Sequence, residues 1–356
     1  MEEPEVELEK KISKPANKKI AKLNFIFIIA IFVGLIIYML KVDGIDNIIK
    51  VMREVDYKWV VAGLVCMLIY WTCETLNLYI PIKKMYPSHT LSNSIKVSMI
   101  GQLFNNLTPF ATGGQPMQVY ELTKTGKRVS DSLSAIIIKF IINQSALIIC
   151  SLVVVVIEFD FFANIMKNFV WIAVLGFTLN VLAIVACVIA GLNKKIITFI
   201  TTPIIKLLGK IHIFKHPEET IENFDKSLDN FKQQFKLIKT EKKMVLKMFI
   251  IASIQSFAYY SITYTVYRAF GNYGVSFWQI IPTQAFLLLI MMFIPTPGSG
   301  LGAEGGFYLL FQSIFKEETI NMSILFWRMY TFYLPIIAGT LFLIPSKKKE
   351  KEEVKE

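Results

Sequence analysis

The sequence predicts an all-α polytopic integral membrane protein, with about six transmembrane helices and two re-entrant Gly/Pro-broken hairpins in an inverted repeat. Three observations carry that prediction. Of 356 residues, 54% are apolar and 18% charged, where soluble domains average about 45–50% and about 25%. The apolar residues come in unbroken blocks: Leu23 to Leu40 holds no Asp, Glu, Lys, Arg or His, and about 18 residues at 1.5 Å rise nearly match a ~30 Å hydrocarbon core. Two further apolar segments run into Gly/Pro-rich breaks part-way through, and free backbone groups at membrane depth are tolerated only where protein buries them or water reaches them.

Residues 1–22 alternate acidic and basic runs around Pro4 and Pro15, and 346–356 is a Lys/Glu tail; neither holds enough apolar surface to order itself. Between them, 23–345 forms one membrane domain, with spans predicted at about 23–40, 59–80, 131–157, 169–192, 244–270 and 320–344. The two broken segments are Ile95 to Phe110, followed by Ala-Thr-Gly-Gly-Gln-Pro, and Phe277 to Pro295, followed by Thr-Pro-Gly-Ser-Gly-Leu-Gly. The segment 193–243 reads as a cytoplasmic amphipathic connector, with Ile221, Phe224, Leu228, Phe231, Phe235 and Ile238 at helical spacing.

Lysine placement sets the topology, because cytoplasmic loops carry the Lys/Arg excess. Lys10 to Lys22 holds six Lys and no acid, and 193–243 holds eleven Lys. Both termini are therefore expected in the cytoplasm, which requires an even number of crossings. Six crossings fit if each hairpin enters and leaves on one face, the first from inside and the second from outside. The loop 41–58 strains this topology, since it lies outside yet carries Lys41, Lys50, Arg53 and Lys58. The repeat shows in the spacing: Lys139 follows Pro109 by 30 positions and Arg328 follows Pro297 by 31. Inverted duplications of this kind are common in transporters.

Net charge +11 could serve nucleic acid or an anionic membrane; the Lys residues flank apolar blocks, so no nucleic-acid surface is expected. The four cysteines fall inside apolar spans without CxxC spacing, and His212 and His216 precede Pro217 without an acidic partner, so no metal, cofactor or catalytic constellation is predicted. Binding candidates remain. In the first break, Asn105, Asn106, Thr108, Gly113, Gly114 and Gln115 could turn successive N–H groups toward a phosphate at the start of a helix, although a break that only turns the hairpin accounts for the same letters. In the second, Gly298, Gly300 and Glu304 suit close backbone approach and a cationic contact, or a solvated loop. Glu74, Lys139 and Arg328 are ionisable residues within spans; such groups face a polar cavity or a partner, unless they snorkel to the surface.

The stretches from Gly101 through Thr108-Pro109 to Gly113-Gly114-Gln115-Pro116, and from Pro295 through Ser299-Gly300 to Glu304, resemble the flippase-like transmembrane domain of the lysylphosphatidylglycerol synthase family, also called multiple peptide resistance factor. The likeness covers roughly residues 20–345. It implies a translocase for (lysyl-)phosphatidylglycerol linked to resistance to cationic antimicrobial peptides. Lys139 and Arg328 would meet the phosphate, and Glu74 or Glu304 a lysyl ammonium. With the chain ending at Glu356, the soluble transferase domain of full-length members is expected to be absent. The alternative is phosphatidylglycerol lysyltransferase itself, or the membrane half of an enzyme split with a separately encoded synthase. A membrane phospholipid is the expected partner, and homodimerisation stays open.

Overall fold

The computed structural model describes residues 33, 44–161, 175–182, 184–185, 240–291 and 300–343. The predicted span 23–40 apart from Val33, the connector over 193–239, both tails and Gly298 lie outside the described residues. The architecture is all-helical among those described: α1 (Gly44–Glu54), α2 (Tyr57–Met85), α3 (Leu91–Leu107), a 3-10 turn (Pro109–Ala111), α4 (Gly114–Thr123), α5 (Val129–Ile157), α6 (Lys242–Ala269), α7 (Phe277–Met291), α8 (Gly300–Phe311), α9 (Ile320–Arg328), a π turn (Met329–Tyr333) and α10 (Leu334–Leu341). Residues 175–182 are also helical, inside the predicted span 169–192.

Four of these, α2, α5, α6 and the continuous run Ile320–Leu341, are long and apolar enough to cross a membrane. They coincide with four of the predicted spans. The 29 residues of α5 extend about 44 Å at 1.5 Å per residue, longer than the hydrocarbon alone. Two helix starts carry side-chain caps: the Asp56 side chain accepts from Lys58 N at the head of α2, and the Thr90 side chain accepts from Asn93 N at the head of α3, satisfying amides that no helical carbonyl reaches.

The element order occurs twice. Long helix, short-helix hairpin, long helix describes α2, α3/α4 and α5, and again α6, α7/α8 and α9–α10. The two long leading helices, α2 and α6, pack against each other antiparallel: Asp56 N donates to Ala269 O at 2.9 Å at one end, and Lys84 bridges Glu241 at 3.0 Å at the other.

Both hairpins start and finish at a single end, and the ends are opposite. The α3/α4 hairpin closes at the Lys84 end, where Lys96 meets Glu121 at 3.3 Å and Tyr86 Oη donates to Asp131 at 2.5 Å. The α7/α8 hairpin closes at the Asp56 end, where Lys316 Nζ donates to Gly271 O and Lys316 N to Asn272 Oδ1. A wide apolar core built from α6, α7, α8 and α9, with Phe307, Phe311, Phe315 and Trp327 in mutual ring contact, holds the second half together.

His89 sits in the turn between α2 and α3, 2% exposed, with Nε2 2.7 Å from Ser94 Oγ. Burial, with Lys127 and Lys83 beside the ring, pushes its pKa down to about 4. The unfolded chain takes up a proton near pH 6.5 that the folded chain refuses until about pH 4. The stabilisation is therefore complete above pH 6.5 and is lost progressively as pH falls toward 4, by an amount on the order of 3 kcal/mol. Chemical denaturation at pH 7.5 and pH 5 should show about 2 kcal/mol of this fall in the wild type and a much smaller one in His89→Gln; equal falls would remove His89 as its source.

Candidate functional site

The two apolar halves enclose polar residues at the level where a bilayer would be driest. Glu74 lies in α2, nine residues before Lys83, about 14 Å along the helix from that basic end. Its Oε1 is 2.6 Å from Lys139 Nζ on α5, and both residues are 6% exposed. The ammonium does not snorkel to the surface; it ends inside. Lys139 Nζ also donates to Gln118 Oε1 on α4 at 3.1 Å. On the carboxylate's other oxygen, Gln255 Nε2 of α6 donates at 3.0 Å and Asn143 Nδ2 at 3.4 Å. Asn143 is one turn after Lys139 on the same helix face, and its Oδ1 accepts from Asn77 Nδ2 at 2.8 Å. Four helices thus converge on one ion pair.

Beside this network is a cavity of about 200 Å³. It is lined by Glu74, Lys139, Gln118, Asn143 and Gln255 of the network, and by Gln102, Asn105 and Gln115 of the first hairpin. Tyr70, Ser256 and Tyr259 add hydroxyls to its lining, and Ile136, Leu147 and Leu288 add apolar surface.

The hairpin itself is built differently from the sequence expectation. Gly113 N donates to Thr108 Oγ1 at 2.8 Å and Gly114 N to Asn105 Oδ1 at 2.9 Å. The amides expected to converge on a phosphate are taken up by side chains of the same hairpin. Nor do these glycines supply the positive φ; Phe110 (56°) and Ala111 (52°) do, a conformation costing roughly 1–2 kcal/mol for each L residue. The glycines are there for proximity. A Cβ on Gly114 would stand 2.2 Å from Asn105 Oδ1 and 2.5 Å from Gly101 O, and one on Gly101 would strike the Gln118 side chain. Without them α4 could not fold flat along α3 and bring Gln115 and Gln118 to the cavity. Asn106 folds back, its Nδ2 donating to Gln102 O at 2.9 Å.

The second hairpin carries its own charge pair. Arg328, 1% exposed, donates from Nε to Glu304 Oε1 at 3.2 Å and from Nη2 to Gly300 O at 3.0 Å. Its guanidinium lies over Phe332, 4.7 Å from the ring centroid. Neither Arg328 nor Glu304 lines the cavity, whereas Tyr259, within electrostatic range of Arg328, does. The sequence expectation gathered Lys139 and Arg328 around one phosphate; the structure instead gives each cation a carboxylate, on separate hairpins. The halves correspond in detail even so. Gln118 is the fifth residue of α4 and Glu304 the fifth of α8, and each contacts the basic residue of the following long helix.

Sequence reasoning found Glu74, Lys139, Asn105 and Gln115 but missed Gln102, Gln118, Gln255, Asn77 and Tyr70. The available signal was a set of neutral amides within apolar helices, where an unpaired polar group costs several kcal/mol.

A family model for the lysylphosphatidylglycerol synthase TM region matches residues 25–339. A UPF0104 membrane protein of Methanocaldococcus jannaschii is 22% identical over 335 residues, covering 92% of this chain and 94% of the relative. A UPF0104 membrane protein of Archaeoglobus fulgidus is 19% identical over 303 residues, covering 85% and 90%. With the match spanning both hairpins and every long helix described above, this polytopic membrane protein belongs to the lysylphosphatidylglycerol synthase TM-region family.

Proposed function

We propose that this protein is a phospholipid translocase, one that admits a lipid headgroup to the cavity beside the first hairpin and eases its passage between leaflets. The observation that carries this reading is the polar niche itself: an ion pair and a bank of amides, drawn from the five helices α2 to α6, around about 200 Å³ of space in an apolar bundle. A headgroup leaving water must have its hydration replaced, and side chains that both donate and accept do that without a net charge in the membrane. The doubled helix–hairpin–helix order supports it further, since halves entered from opposite ends can alternate access. In this reading the cargo is phosphatidylglycerol or its lysyl ester, with a consequent role in surface charge and resistance to cationic peptides.

Reconstituted vesicles carrying fluorescent phosphatidylglycerol test it by the fraction of label that an external quencher reaches over time. The wild-type chain should exchange the label well above protein-free vesicles, and a Glu74→Leu/Lys139→Leu double variant, which removes the polar pair from the niche, should fall back toward them. Exchange no faster than in empty vesicles rejects translocation. Lysyl transfer from charged tRNA by the purified chain would point to the synthase reaction instead.

A further inference from the structure

The charges in the cavity are already satisfied. Lys139 is the cation that lines it, and its ammonium is held by Glu74 at 2.6 Å and Gln118 at 3.1 Å. A bare phosphate entering there would have to break a buried pair and leave Glu74 facing like charge, which is strongly unfavourable at low dielectric. The unused capacity of the wall is neutral. Asn105 spends its Oδ1 on Gly114 N, and its amide nitrogen has no partner among the described residues. Gln115 makes no side-chain hydrogen bond among them, and its Oε1 is buried without a donor. Gln102 and Tyr70 line the same space beside one another. Donors and acceptors thus alternate within reach of one small volume. An amide offers both an acceptor oxygen and two donor hydrogens, and a hydroxyl is both a donor and an acceptor. Hydroxyls can therefore satisfy this wall, whereas a phosphate, mostly ionised at neutral pH and so chiefly an acceptor, leaves Gln115 Oε1 orphaned.

We infer that the cavity recognises the free hydroxyls of a polyol headgroup, glycerol or sugar, through Gln115, Asn105 and Gln102, and does not read the phosphate. This rests on the reading of the cavity as a headgroup site. It places the selective contacts on the first hairpin and leaves the Glu74–Lys139 pair as an intact neutral floor.

Native mass spectrometry of the full chain, in an amine-oxide detergent free of sugar headgroups, tests this with three dioctanoyl probes. They are phosphatidylglycerol, a glucosyl diacylglycerol and phosphatidate. Phosphatidylglycerol and the glucosyl lipid should each bind at least about tenfold tighter than phosphatidate, the worth of one or two hydrogen bonds. Gln115→Leu should weaken both hydroxylated probes and leave phosphatidate unchanged. If only the glucosyl lipid is favoured, the source of the hydroxyls is a sugar; if only phosphatidylglycerol is, the source is glycerol. Phosphatidate binding at least as tightly as both hydroxylated probes, or none of the three binding, overturns the inference. The wild-type comparison decides it even if Gln115→Leu fails to fold. Leaflet exchange is measured separately, so loss of exchange with the hydroxyl preference intact would reject translocation alone, and phosphatidate preference with exchange intact would reject the inference alone.

Discussion

Lys139→Gln should lower the stability of the solubilised protein by about 3–5 kcal/mol, and a Glu74→Gln/Lys139→Gln double variant should recover most of that loss. The single change strips the cation from a carboxylate that is 6% exposed, leaving only the Gln255 and Asn143 amides at 3.0 and 3.4 Å to face its charge. In the double variant no charge is buried, and Gln at both positions can still hydrogen-bond to Gln118 and Gln255. Denaturation midpoints of wild type, both single variants and the double variant form a thermodynamic cycle, and directly contacting groups in one network should show a large coupling. A coupling near zero would mean that the two charges do not depend on one another.

Arg328→Gln is the second large effect expected, again about 3–5 kcal/mol, and it tests the other half of the molecule. Here the guanidinium has two jobs. It neutralises Glu304 at 3.2 Å and holds the first carbonyl of α8, Gly300 O, at 3.0 Å. Arg328→Lys should therefore restore less than half of the loss, because an ammonium on a flexible stem cannot reproduce the planar fork that spans both partners. Glu304→Gln should be milder than Arg328→Gln, since the Gly300 carbonyl and the Phe332 ring at 4.7 Å still receive the cation. If Arg328→Lys matches the wild type, charge alone matters and the fork does not.

Particular elements show how far the letters carry. The apolar blocks 59–80, 131–157, 244–270 and 320–344 became α2, α5, α6 and Ile320–Leu341 within a few residues, because a spanning helix announces itself by length and composition, which are local. The hairpins were legible for a related reason: Thr108-Pro109 and the Gly/Pro run after Pro295 cannot continue a helix. The Lys84–Glu241 and Lys316–Gly271 contacts each join segments that the lysine counts assign to one face.

Side-chain partnerships were not legible. Nothing local distinguishes a lysine awaiting a phosphate from one already paired with Glu74, 65 positions away. Gln118 and Gln255, neutral and unremarkable as letters, carry half of the network. The role of Gly113 and Gly114 was also hidden, because whether a glycine serves a positive φ or a close approach depends on what lies opposite, here Thr108 and Asn105.

By itself the sequence determined that the chain crosses a membrane, where its helices run and where they break, since each of these follows from the transfer free energy and backbone needs of a contiguous segment. Only the tertiary structure decided that the charges are spent in two separate pairs, Glu74 with Lys139 and Glu304 with Arg328, and that neutral amides face the remaining space. Pairing is a property of distance between helices, and in a medium where an unpartnered charge is so costly, that distance governs what each group has left to offer a ligand.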